Sequence, residues 1–300
     1  MNNKLEKFKD PGYKPDENTK TEIEQLNKEG QSLSGFQLQF ADLKKVNLVD
    51  ANLSFSDLKR SNLSNSSMYG ANLEGANLFK ADLEGTNLKN ANLTNTKLLG
   101  ANFTNTKLHN VNWGEEGKII NELEADKSED FLVAKSKYKE AEEIYCAVRL
   151  TMQGQSLGDE ASKIFIREMH CKRKQHPKFS FFRIMSKISH VSTGYGESIK
   201  RIVCSIFSVI FISALLFGIE GVSYQDRTLG FFVNDLQNYG IWYTLGNLFY
   251  FSVITFTTVG FGEITPIGPI GKFLTIFEGL ISGILLTVLI VAIYRHTLDR

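Results

Sequence analysis

The chain has 300 residues, with 34 Lys and Arg against 33 Asp and Glu, for a formal net charge of +1. That balance excludes a global electrostatic pull on nucleic acid, and the length allows about two domains. Mean hydropathy is −0.15, which averages a polar first half with a strongly apolar last third.

Three widely spaced cysteines, Cys146, Cys171 and Cys204, match no zinc pattern and read as reduced packing residues. His109, His170, His176, His190 and His296 are scattered, and no HExxH, P-loop or nucleophile elbow is present. No enzyme and no cofactor are expected.

Residues 1–30 read as a charged N-terminal segment. The start, Met1-Asn2-Asn3-Lys4-Leu5-Glu6-Lys7, lacks the apolar stretch of a cleaved signal peptide.

From residue 31 to 113 the chain repeats every five residues. Leu33, Leu38, Leu43 and their successors to Phe103, Leu108 and Trp113 mark the unit centres. Small residues such as Ala41, Ala51, Ser56, Ala71 and Thr86 sit two positions earlier, with Asn or Asp between. Five matches neither the helical nor the strand period. The pattern resembles the pentapeptide-repeat family, A(N/D)LXX. The resemblance implies a right-handed quadrilateral β-helix with four units per coil, about 20 Å tall at strand spacing. Centre and small residues would share a narrow lumen, with Phe36 and Val111–Trp113 as end plugs. The repeats carry six acids (Asp42, Asp50, Asp57, Glu74, Asp82, Glu84) and eight bases (Lys44, Lys45, Lys59, Arg60, Lys80, Lys89, Lys97, Lys107). An acidic DNA mimic is therefore not expected.

Residues 128–176 read as an α-helical hairpin. The first helix, from Phe131 to about Gln153, is expected to be capped by Ser128, and the second by Asp159. Residues 177–201 form a basic, aromatic interfacial segment. Over 172–201, Lys172, Arg173, Lys174, Lys178, Arg183, Lys187, Lys200 and Arg201 face one acid, Glu197, with Phe179, Phe181 and Phe182 among them. Anionic membrane lipid is the expected partner.

Residues 202–222 and 271–294 are each long and apolar enough to span a bilayer. Bases flank them on one side, while the loop between is acid-biased, so both termini are expected to be cytoplasmic at the cell membrane. Between the spans, 245–257 is too short to cross and reads as a re-entrant helix. It leads into Thr257-Thr258-Val259-Gly260-Phe261-Gly262-Glu263. Residues 258–262 differ from the TVGYG loop of potassium-channel filters only at Phe261. Gly260 and Gly262 can take the positive φ that aims successive carbonyls at one axis.

The module over about residues 198–298 resembles the two-span potassium-channel family. The resemblance implies K+ held by backbone carbonyls of Thr258, Val259, Gly260, Phe261 and Gly262 and by the Thr258 hydroxyl. It implies filter support from Thr257, Glu263, Tyr250 and Phe251, inner-helix hinges at Gly279 or Gly283, and a homotetramer. Two departures stand out: Glu263 replaces the usual Asp, and Ile254 occupies a position where some relatives carry Glu. Glu278 is the one acid of the second span and a candidate pH-sensitive site, expected behind the filter on the hydroxyl of Thr255 or Thr257. The chain is thus expected to be a mixed multidomain protein: solenoid, helical hairpin and two-span membrane pore module. Its expected function is a potassium-selective channel assembled or gated through its repeats, the gating ligand being unspecified. A nonselective cation channel and a membrane-anchored pentapeptide scaffold are the alternatives.

Overall fold

The computed structural model describes residues 2–225, 227–232 and 240–298, in two compact units divided between Met185 and Ser186. In the first unit, residues expected to be a plain charged segment instead form two helices, α1 (Asn2–Lys9) and α2 (Thr19–Lys28). Apolar residues within the charged stretch explain this. Phe8, Ile23 and Leu26 are buried, and Phe8 stacks on Phe36 with centroids 4.9 Å apart. Phe36 is fully buried at the first coil, and the helix pair covers it there.

The solenoid pairs residues twenty apart through parallel bridges, from Gln37 with Asp57 to Asn92 with Asn112, giving four units per coil. Unit centres and small residues are buried together. Three lumen threonines satisfy their hydroxyls: Thr86, Thr96 and Thr106 donate to the carbonyls of Leu63, Leu73 and Leu83 at 2.7, 2.8 and 2.7 Å. Outside, Asn112 Nδ2 donates to Asn92, and Asn92 to Asn72, in a ladder up one wall. Every fifth residue from Gly35 to Asn110 has positive φ. These corners explain the Gly and Asn found there, and they force Phe40, Asp50 and Arg60 into the same left-handed turn.

A 3₁₀ turn (Glu115–Gly117) and a short helix, α3 (Ile120–Lys127), precede the two helices expected over 128–176, α4 (Phe131–Gln153) and α5 (Gly158–Lys174). Ser128 is not the cap of α4. Asp130 is, accepting from Leu132 N at 2.7 Å. Asp159 is not the N-cap, which is Leu157, but lies inside the first turn of α5, where its charge favours the helix dipole. The last coils are held by Thr151 Oγ1, which donates to Phe103 O at 3.1 Å, and by Gln155, which donates to Thr106 O. Arg149 and Glu168 join α4 to α5 at 2.7 Å. Under them, buried Glu122 accepts from Tyr145 at 2.6 Å and faces Arg167 at 3.4 Å. Burial raises the Glu122 carboxyl above the usual range against the pull of those two partners.

Helix α6 (Phe181–Thr193) leads into the second unit. There α7 (Ile199–Glu220), α8 (Ile241–Phe256) and α9 (Pro269–Leu298) pack together. Helix α9 exceeds the span read from hydropathy at both ends, while α7 starts three residues before its span and stops at Glu220, two residues short of its end, with Gly221 at φ +90° after it. The loop between α7 and α8 contains strands β1 (Val222–Tyr224) and β2 (Arg227–Leu229). With β3 (Ile264–Pro266), just past the 258–262 segment, they form a small antiparallel sheet in the order β2-β1-β3. Val222 pairs with both Leu229 and Pro266. The loop acid Asp235 and the neighbouring Asp226 lie outside the described residues.

Candidate functional site

Residues 257–263 follow directly on the C-terminal end of α8. The turn is closed by backbone bonds. Thr258 N donates to Thr255 O at 3.0 Å, and Val259 N and Gly260 N both donate to Ile254 O, at 3.1 and 3.3 Å. Ile254 is buried beneath this turn in the cluster with Phe217, Val222 and Leu248. The segment then leaves the protein surface: Val259 is 54% and Phe261 69% exposed. Two apolar side chains this open on one chain ask for a partner.

The backbone alternates. φ is +58° at Thr258, +50° at Gly260 and +80° at Gly262, while Val259 and Phe261 stay in the ordinary range. The glycines meet the sequence expectation. Thr258 does not follow from residue type, since a β-branched residue at positive φ is strained. Alternating handedness turns successive peptide carbonyls toward one side of the strand.

The flanking residues are distributed as follows. Tyr250 donates its hydroxyl proton to Glu263 Oε1 at 2.5 Å, linking α8 to the residue just past the segment. Phe251 turns into the apolar cluster instead, edge-on to Phe217 of α7 at 4.7 Å, so the aromatic brace contains Tyr250 without Phe251. The Thr257 hydroxyl folds back onto Val253 O at 2.8 Å.

Glu278 is 1% exposed between the three helices. Its partners are not the threonines expected. Thr257 is committed to its own helix, and the carboxyl instead meets Ser252 Oγ at 2.5 Å. Ser252 was not singled out from sequence, although it falls on the same face of α8 as buried Leu248 and Phe256.

On α9, Gly279 O accepts from Ser282 Oγ at 2.8 Å and Gly283 O from Thr287 Oγ1 at 2.7 Å. A Cβ at either glycine would touch nothing within 4 Å in the chain. Close packing inside the subunit therefore does not explain them. Glu220, the last residue of α7, accepts from Gly271 N at 2.7 Å and so satisfies the start of α9.

The segment before α7 carries an outward apolar stripe: Phe181, Ile184, Met185, Ile188 and Val191 are exposed one to two turns apart. Its opposite side is polar, with Ser186 at 3.0 Å from the Tyr195 hydroxyl. Glu197 pairs with Arg295 near the end of α9 at 3.0 Å. Among the described residues no cluster of His, Cys, Asp or Glu is arranged to hold a metal.

Comparison with known families matches one stretch in each half. An ion-channel family model, described as "Ion channel", matches residues 227–299, and the pentapeptide-repeat model matches eight copies across 37–75, 47–85 and 76–112. The chain is therefore a pentapeptide-repeat domain joined to an ion-channel module of the two-span type, with two helices apolar and long enough to cross a membrane. Neither family is enzymatic. Three solved structures resemble the repeats. A pentapeptide-repeat protein (Rfr23) from the cyanobacterium Cyanothece 51142 is 34% identical over 30% of this chain and 60% of its own, with a TM-score of 0.22. One from Nostoc PCC 7120 is 26% identical over 34% of this chain and 91% of its own, with a TM-score of 0.28. A third, from the thylakoid lumen of Arabidopsis thaliana, is 34% identical over 25% and 49%, with a TM-score of 0.19. This chain thus spans 60% of the length of the first of these. A search of curated proteins finds no match.

Proposed function

We propose that the protein is a homotetrameric, potassium-selective channel of the cell membrane, with a cytoplasmic pentapeptide domain, wound right-handed, that assembles or gates it. The observation that supports this best is the alternation of φ at Thr258, Gly260 and Gly262. A strand of alternating hand stacks its carbonyls, and four such strands around an axis replace the hydration shell of an ion. One chain supplies one strand, so the ring needs four copies. The exposure of Val259 and Phe261 fits a segment completed by neighbours. In this reading Thr258 to Gly262 hold K+, Tyr250 and Glu263 brace them, and α9 lines the entry with Gly279 or Gly283 as its hinge.

In sequence, the bases of 172–201 precede the first span and Arg295 follows the second, which supports cytoplasmic termini. The exposed stripe of α6 fits anionic lipid there, with Arg183 and Lys187 on the same helix. The near-neutral solenoid gives no reason to expect a nucleic acid partner.

Flux from vesicles containing the purified full-length protein tests the reading. Potassium release well above sodium release, with chemical cross-linking stopping at four copies, supports it. Equal release of both ions supports a nonselective cation channel. No release from correctly inserted protein supports a membrane-anchored scaffold.

A further inference from the structure

The contacts around Ser252 require more protons than its own hydroxyl can provide. Ser252 Oγ lies 2.8 Å from the carbonyl oxygen of Ile210 on α7 and 2.5 Å from Glu278 Oε1 on α9. Both are hydrogen-bond distances, and each needs a hydrogen between its oxygens. The carbonyl can only accept, and the serine has one proton. If that proton goes to Ile210, the hydrogen on the Glu278 side must come from Glu278.

Two further observations agree. Glu278 Oε2 is buried with no hydrogen-bond partner within range, a costly state for a carboxylate oxygen and a milder one for the carbonyl oxygen of a neutral acid. Among the described residues, the three helices bring no countercharge to it either. The charged residues of α7 are Lys200, Arg201 and Glu220, at its ends. Those of α9 other than Glu278 are Lys272 and Arg295, with His296 titratable beside it, and α8 has no charged residue, only the phenols Tyr243 and Tyr250. Helical rise places Glu278 about 14 Å from the start of α9.

We infer that Glu278 is a neutral carboxylic acid that donates to Ser252, which in turn donates to Ile210, forming a proton-ordered chain across α9, α8 and α7. Its role is to position α8, whose last turn holds the 258–262 segment through Ile254 O. Glu278 is a positioning residue and touches no ion. The two bonds tie α9, α8 and α7 together at this level.

Infrared spectroscopy of the full-length protein in vesicles at neutral pH tests the proton directly, whether or not the protein conducts. The expected result is a carboxylic-acid carbonyl band that disappears in Glu278→Gln and shifts in Ser252→Ala. Absence of such a band, or a band unchanged in Glu278→Gln, overturns the inference. The positioning role rests on the channel reading and is tested by potassium flux. Glutamine keeps a donor and leucine does not, so Glu278→Gln is expected to retain roughly tenfold more flux than Glu278→Leu, the scale of one buried unmade hydrogen bond. Equal loss in both variants, with the infrared band intact, removes the donor role while leaving the proton assigned.

Discussion

The phenol of Tyr250 and the carboxylate of Glu263 meet at 2.5 Å, the one on the helix that enters the candidate filter and the other on the residue that leaves it. The 258–262 segment is thus closed into a loop by one charge-assisted bond at its outer rim and by backbone bonds to Ile254 O at its inner end. Tyr250→Phe keeps the ring and removes the bond. The expected result is a several-fold loss of potassium-over-sodium preference with the oligomer intact. A double-mutant cycle with Glu263→Gln checks that the bond and not the ring is responsible: the second change should add little once Tyr250→Phe is in place. Fully additive losses would assign the two residues separate roles.

Gly260 sits at φ +50°. Alanine there costs about 1–2 kcal/mol in backbone strain per chain, and in a tetramer four copies act on the same ring. Gly260→Ala is expected to abolish potassium flux while membrane insertion, measured by protease protection, stays normal. Ordinary flux from this variant would remove 258–262 as the conducting segment.

Gly283 has open space around its Cα, so Gly283→Ala should fit without clash in the chain. Alanine favours the helix by about 1 kcal/mol. Thr287, bonded back to the Gly283 carbonyl, already loosens that turn. Single-channel recording should show lower open probability with unchanged selectivity. Unchanged open probability points to contact with a neighbouring copy as the reason for glycine.

His170 carries a pH signature in the N-terminal unit. Burial lowers it from 6.5 to about 4, helped by the charges of Arg173 and Lys174. Arg173 Nη2 lies 3.0 Å from its Nδ1, and a guanidinium can only donate, so the imidazole is neutral there. The unfolded chain binds the proton more readily than the folded one between these values. Stability is therefore complete above about pH 6.5 and falls as pH drops toward 4, by at most about 3 kcal/mol. Urea unfolding of the intact protein in detergent, followed through Trp113 in a Trp242→Phe background, should show this fall, and His170→Gln should flatten it. An equal fall in both proteins assigns the acid sensitivity elsewhere.

The sequence by itself determined the elements whose signal is local and repeated. A period of five cannot be a helix or a flat strand, so the solenoid was legible from Leu33 onward. Two apolar runs around Thr258–Gly262 likewise announced the two-span module, because membrane length and glycine placement are properties of the chain alone. Burial in the N-terminal helices was not legible. Phe8 is one apolar residue among charges, and only contact with Phe36 turns its segment into a cap. The partners of Glu278 depended in the same way on how three helices are rotated. Thr255, Thr257 and Ser252 are equally good donors in sequence, and packing alone chose Ser252. The pairing of β1 with β3 joins residues forty or more positions apart. A pairing of that range leaves no local signal in the chain, so tertiary structure decided it.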